Sequence, residues 1–290
     1  MRPSARNTRN RDTRSAALGI GALAILGGAA ILMQRRTQPK PRPKPRRKLR
    51  RSAAIMGASM LVDSAMEHFR GGFHNKAMLA APVLAAASTL GATARAPHML
   101  PVHATSVAVG AAGLGFHGYN IAKRPGGFNW DNLFYAAPIG APGGLAVTGL
   151  LALASDAHTA RHGRMLAGFT ALATLAETAE VALLHFRGAW HNPAMYLPVT
   201  IPPIAAALLL EQALHPNPKT RGAARGAQRL MAAMGVVGTG FHIYGVSRQM
   251  GGWHNWRQNA FDGPPVSAPS SFIALALSGK AALDLMEGAP

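Results

Sequence analysis

The stretch HFRGGFHNKAM, residues 68–78, is answered 117 residues later by HFRGAWHNPAM, residues 185–195. His68, Phe69, Arg70, Gly71, His74, Asn75, Ala77 and Met78 each meet an identical partner. Two further pairs follow in the same order. GLGFHGYN (113–120) matches GTGFHIYG (238–245) at an offset of 125, and GGFNWDN (126–132) answers GGWHNWRQN (251–259), with Pro138 and Pro142 answered by Pro265 and Pro269. An insertion in the connection HPNPKTRGAARGAQ (215–228) accounts for the growing offset. Three ordered matches predict a duplicated unit, residues 52–156 and 157–290, behind a leader of residues 1–51.

Apolar blocks surround these motifs, at 17–33, 52–69, 77–94, 101–121, 136–155, 165–186, 194–214, 228–247 and 266–286. A bilayer core about 30 Å thick needs roughly 20 apolar residues per helical span. None of the blocks alternates as a strand would. Ala, Gly and Leu dominate them, which suits close helix–helix contact in lipid. The expected fold class is all-α: a polytopic membrane protein of about nine spans, with an N-terminal signal-anchor helix (17–33) and two parallel four-helix repeats. A soluble Ala-rich bundle would carry charge along its outer faces, yet block 136–155 holds none.

The 290 residues include 30 Lys and Arg against 11 Asp and Glu, no Cys, and a mean hydropathy of +0.10. The excess charge is local. Ten basic residues fall between Arg35 and Arg51 and five precede residue 15. No nucleic-acid partner is expected, because that function needs the charge on the folded domain. The absence of Cys excludes a disulfide scaffold and thiolate metal or iron–sulfur sites. The run QRRTQPKPRPKPRRKLRR (34–51) alternates Pro with cations, which predicts an extended linker and topology determinant that touches anionic lipid over 35–51.

An even number of spans per unit inserts both copies the same way up. The loops 70–77, 122–136, 187–194 and 248–265 then share one membrane face. All four Trp (Trp130, Trp190, Trp253, Trp256) and all four Tyr (Tyr119, Tyr135, Tyr196, Tyr244) lie in or beside those loops. An ordinary aromatic belt occupies both interfaces, so the asymmetry predicts a shaped surface for a periplasmic protein partner, with Asn129, Asn255, Arg70 and Arg187 beside the indoles. A cytoplasmic leader places this face in the periplasm of a bacterial inner membrane.

Seven of the twelve His lie on the same face, six of them as matched pairs: His68 with His185, His74 with His191, His117 with His242. Three chemistries suit them. A b-type haem needs two imidazoles from different helices at similar depth; His68 and His117, or His185 and His242, meet that demand, with Gly113, Gly115 and Gly240 as room for the macrocycle. A non-haem metal site would use His74, His191, Asp63 and Glu180, although Asp63 and His68 are about 140° apart on a straight helix. The third role is structural, with His, Asn and Arg satisfying loop carbonyls. No nucleophile grouping recurs, and GAAGLG (110–115) lies in an apolar span with no strand before it, which excludes a dinucleotide fingerprint. The leading expectation is a membrane electron-transfer or quinone-interacting subunit with b haem. The alternative is a non-catalytic membrane anchor or scaffold binding a protein or lipid, and the third is a small-solute transporter using Asp63 and Glu180.

Overall fold

The computed structural model describes residues 43–288, and the expected anchor helix at 17–33 lies outside them. The described residues are helical throughout, with turns between and no strand among them. Ten α-helices follow in order: α1 (Pro43–Arg70), α2 (Ala80–Ala94), α3 (Leu100–Ala122), α4 (Trp130–Tyr135), α5 (Ala141–Leu153), α6 (Ala160–Arg187), α7 (Leu197–Leu214), α8 (Pro218–Ser247), α9 (Trp256–Asp262) and α10 (Ser270–Glu287). Among the described residues, four segments have the length and apolarity to cross a membrane: Lys76–Ala94, Ala160–Arg187, Pro193–Leu214 and Pro218–Ser247.

The Pro/Arg-rich run departs from expectation at its C-terminal part, because α1 begins at Pro43 instead of residue 52. The first N–H groups of a helix have no intrahelical partner, so Pro43 and Pro45 forfeit no hydrogen bond there. The basic run then contributes to packing. Leu49, Ala53 and Met56, spaced four and three apart along one stripe, are fully buried, and Ser52 donates to the Ala274 carbonyl of α10 (2.6 Å).

Packing repeats between the halves. In the first, α1 lies against α2 and α5, α2 against α3, and α3 against α5; in the second, α6 lies against α7 and α10, α7 against α8, and α8 against α10. Contact between α1 and α10 joins the two groups. Small side chains such as Ala85, Ala167, Ala171, Ala205 and Ala274 share the interior with Phe272, Leu151, Leu209 and Met231. Buried hydroxyls link helices within it: Ser88 to Ser106 (2.8 Å) and Thr170 to Ser278 (2.6 Å). Glycines set the closest approaches, since a Cβ on Gly110 would fall 2.9 Å from the Ala146 Cα and Cβ atoms. The outside has the opposite character. Val83, Leu90, Leu172, Ile204 and Val236 on the four candidate spans are 60–66% exposed, the placement expected of side chains that face lipid tails.

Candidate functional site: the motif face

The first motif is a device for ending one helix and starting the next. Helix α1 stops at Arg70, and the chain turns through left-handed residues Gly72 (φ 68°) and Phe73 (φ 44°); α6 stops at Arg187 and turns through Ala189 (φ 57°) and Trp190 (φ 50°). Non-glycine residues with such angles are uncommon, so other contacts must hold them. His68 Nδ1 donates to the Met78 carbonyl (2.5 Å) and His185 Nδ1 to that of Met195 (2.9 Å). His74 and His191 do likewise to Gly71 and Gly188 (3.1 and 3.0 Å). Asn75 and Asn192 then accept from the N–H groups of Ala77 and Ala194, both at 2.9 Å, opening the next helical turn.

The second and third motifs are equally mechanical. Gly113 and Gly238 lie against Pro142 and Pro269. One helical turn further, His117 and His242 donate from Nδ1 to the carbonyls of Pro138 and Pro265, both at 2.6 Å. Asn132 Nδ2 donates to the carbonyls of Pro125 (2.9 Å) and Gly127 (2.7 Å), and Asn259 Nδ2 to those of Met250 (3.1 Å) and Gly252 (2.8 Å). Asn129 caps α4 by accepting from the Asn132 N–H (2.7 Å), and Asn255 donates to Gln258 Oε1 (3.1 Å).

Between the halves, contacts are reciprocal. Ser267 donates to the Asp63 carboxylate, while Gly140 N donates to Glu180 Oε2 (2.7 Å); Gly140 and Ser267 are 127 residues apart, the spacing of Pro138 to Pro265. Phe69 stacks on Phe261 (centroids 5.0 Å), and Phe186 meets Phe134 edge-on (6.0 Å). Each pair joins the first helix of one half to the segment before the last helix of the other. Sequence reasoning matched Asp63 to Glu180 but did not pair either with the opposite half. The Phe134–Phe261 identity at offset 127 was the available signal. Glu177, unmatched in sequence, accepts from Ser271 of its own half (2.7 Å).

The matched arginines diverge. Arg187 Nη2 donates to the carbonyls of Leu133 (2.8 Å) and Ala136 (3.2 Å), with its guanidinium 5.8 Å from the Phe134 ring centre. Arg70 pairs instead with Glu67 on its own helix (2.7 Å), and a small cavity of about 30 Å³ lies between Asp63, Arg70, Phe261 and Pro265.

The expected ligand sets are brought together unequally. His68 is within electrostatic reach of His117, and His185 of His242. Because Nδ1 is the donor in all four rings, Nε2 carries the lone pair. Gly113 and Gly238 are used in helix contact, while Gly115 and Gly240, open on their own flank, lie two residues and so about 200° around the helix from the imidazoles. The proposed metal set is dispersed: Asp63 and Glu180 bond across the seam while His74 and His191 bond inside their loops. Among the described residues, no three His, Asp or Glu converge as metal ligands.

The aromatic set divides in two. Trp190 stacks on Tyr196 (4.8 Å, planes 6° apart) and meets His185 edge-on, an internal brace. Trp130 touches Phe186 (5.6 Å) yet stays 57% exposed, and Trp253 and Trp256 are 54% and 60% exposed. Comparison with family models, with curated proteins and with solved structures finds no match to this chain.

Proposed function

We propose that this chain is an integral membrane docking subunit: two parallel four-helix units (52–156 and 157–290) behind an anchor helix, about nine spans in all, with the motif face presented to a periplasmic protein partner from a bacterial inner membrane. The observation that carries the reading is the exposure of Trp130, Trp253 and Trp256 on loops whose backbone is otherwise pinned by side chains. Exposed aromatics on a rigid frame are the usual energetic centre of a protein interface. The reciprocal pairs Asp63–Ser267 with Glu180–Gly140, and Phe69–Phe261 with Phe186–Phe134, support two units of the same orientation, since a reciprocal exchange between equivalent loops requires both loops at one end. They also support a seam-locking role for Asp63 and Glu180 over solute transport. The cations Arg46, Arg47, Lys48, Arg50 and Arg51 at the start of α1 favour a cytoplasmic opposite end. A photo-crosslinker at Trp256 in living cells is expected to capture a discrete periplasmic protein, and one at lipid-facing Leu90 is not. Identical adducts at both sites would refute the docking face.

A second reading, electron transfer or quinone interaction with b haem, is favoured by the paired imidazoles with Nε2 lone pairs. His68 with His117 and His185 with His242 would hold the group, which would supply one-electron transfer between a quinone and the partner. Reduced-minus-oxidised spectra of protein expressed with haem precursor test it. A Soret and α band lost in His117→Ala and His242→Ala supports it, and a colourless wild type removes it.

A further inference from the structure

At the end of the bundle opposite the motif loops, residues of α1, α2, α3 and α5 line an open cavity of about 130 Å³. That is roughly ten times the space one water requires. Its walls carry Arg46, Arg50, Arg95 and His103, with Asp156 the one carboxylate among them. Arg46 and Arg95 lie close enough to repel Arg50, and Asp156 to attract it. Arg46 reaches Asp156 at 3.3 Å, and Arg50 is aimed by two bonds to the Ala92 carbonyl (3.0 and 2.7 Å). Three permanent cations thus share one anion.

The other acids described at this end are already engaged. Elsewhere at the same end, Lys48 and Arg225 share Asp284, and Arg225 also holds Glu287 (2.8 Å). In the second half, Arg164 donates to the Ala213 and Leu214 carbonyls (2.9 and 3.1 Å), while in the turn after α7 Gln212 donates to Asn217 O (3.0 Å) and Thr220 (2.8 Å), and Thr220 donates to Glu211 (2.9 Å).

Arg95 carries the second clue. It ends α2 in the left-handed conformation (φ 59°), the place where helices ordinarily use Gly. An arginine there bears a backbone cost that glycine would not, and it is one of the residues that line the cavity. Guanidinium forks match the oxygens of phosphate, and exposed Leu100 offers an apolar lip beside them.

We propose that this cavity is a phosphate-binding site, filled by the headgroup of an anionic lipid or by a soluble phosphate, with Arg46, Arg50 and Arg95 as its ligands. The lipid source rests on the membrane reading given above. The site does not involve the motif face, so its failure would leave the docking proposal standing.

The test uses the full chain and the double variant Arg46→Gln, Arg95→Gly. Glycine suits the left-handed turn, so the variant should melt no lower than wild type with Arg46→Gln alone. Two probes are titrated: phosphatidylglycerol in phosphatidylcholine nanodiscs, read by native mass spectrometry, and inorganic phosphate, read by calorimetry. Binding is expected to weaken at least about tenfold for the occupant, from the loss of charge-assisted hydrogen bonds. Weakening for phosphatidylglycerol alone identifies a lipid, and weakening for phosphate identifies a soluble ligand as well. Wild type that binds neither probe, or a folded variant that binds both as wild type does, overturns the proposal.

Discussion

Arg70 and Arg187 occupy the same place in the repeated motif, yet replacing each with Ala should have very different consequences. Arg187 makes two charge-assisted bonds to the Leu133 and Ala136 carbonyls and lies over Phe134, tying α6 to the segment around α4. Such bonds contribute about 1.5–3 kcal/mol each. Allowing for partial rehydration of the abandoned carbonyls, Arg187→Ala should cost about 3 kcal/mol. Arg70 pairs only with Glu67, and both side chains are nearly half exposed (47% and 49%). An exposed pair three residues apart on one helix contributes under about 0.5 kcal/mol. For a chain of this size, 1 kcal/mol moves the melting midpoint by roughly 2–4 °C. The expected shifts in detergent are therefore roughly 6–12 °C for Arg187→Ala and no more than about 2 °C for Arg70→Ala. Equal shifts would refute the assignment of Arg187 as the tie between halves.

A matched pair of glycine substitutions should move in opposite directions. Gly110→Ala forces α3 away from Ala146 of α5 and lowers the melting midpoint, whereas Gly115→Ala, with open space at its Cβ position, should be neutral or gain up to about 1 kcal/mol from helix propensity. Asp284→Asn removes the shared partner of Lys48 and Arg225, and should cost about 1–2 kcal/mol. Raising salt should shrink the difference from wild type, and a salt-independent difference would assign the loss to packing.

The helical nature of the chain was legible because its apolar blocks are long and free of alternation. The pairing of the loop motifs was legible because identical residues recur in order. The sequence reading failed where tertiary context decides. Pro43 and Pro45 looked like linker residues, but a helix start tolerates both, and Leu49 became core once α10 was there to cover it. The seam eluded the reading because Asp63 and Ser267 are 204 residues apart and only the closed bundle joins them. The phosphate cavity was hidden for the same reason, since its arginines come from different helices and become a cluster only when α1 packs beside the end of α2.

The motif loops form one docking face only if both copies point the same way through the membrane. The chain contains no Cys, so single cysteines introduced at Gly127, Ala189, His98 and Pro216 give an uncluttered labelling experiment in intact cells. Gly127 and Ala189 represent the motif loops of the two halves, and His98 and Pro216 the opposite end. A membrane-impermeant maleimide should label Gly127→Cys and Ala189→Cys from the outside and reach the other two only after the membrane is opened. Labelling of one motif loop from each side would contradict the account.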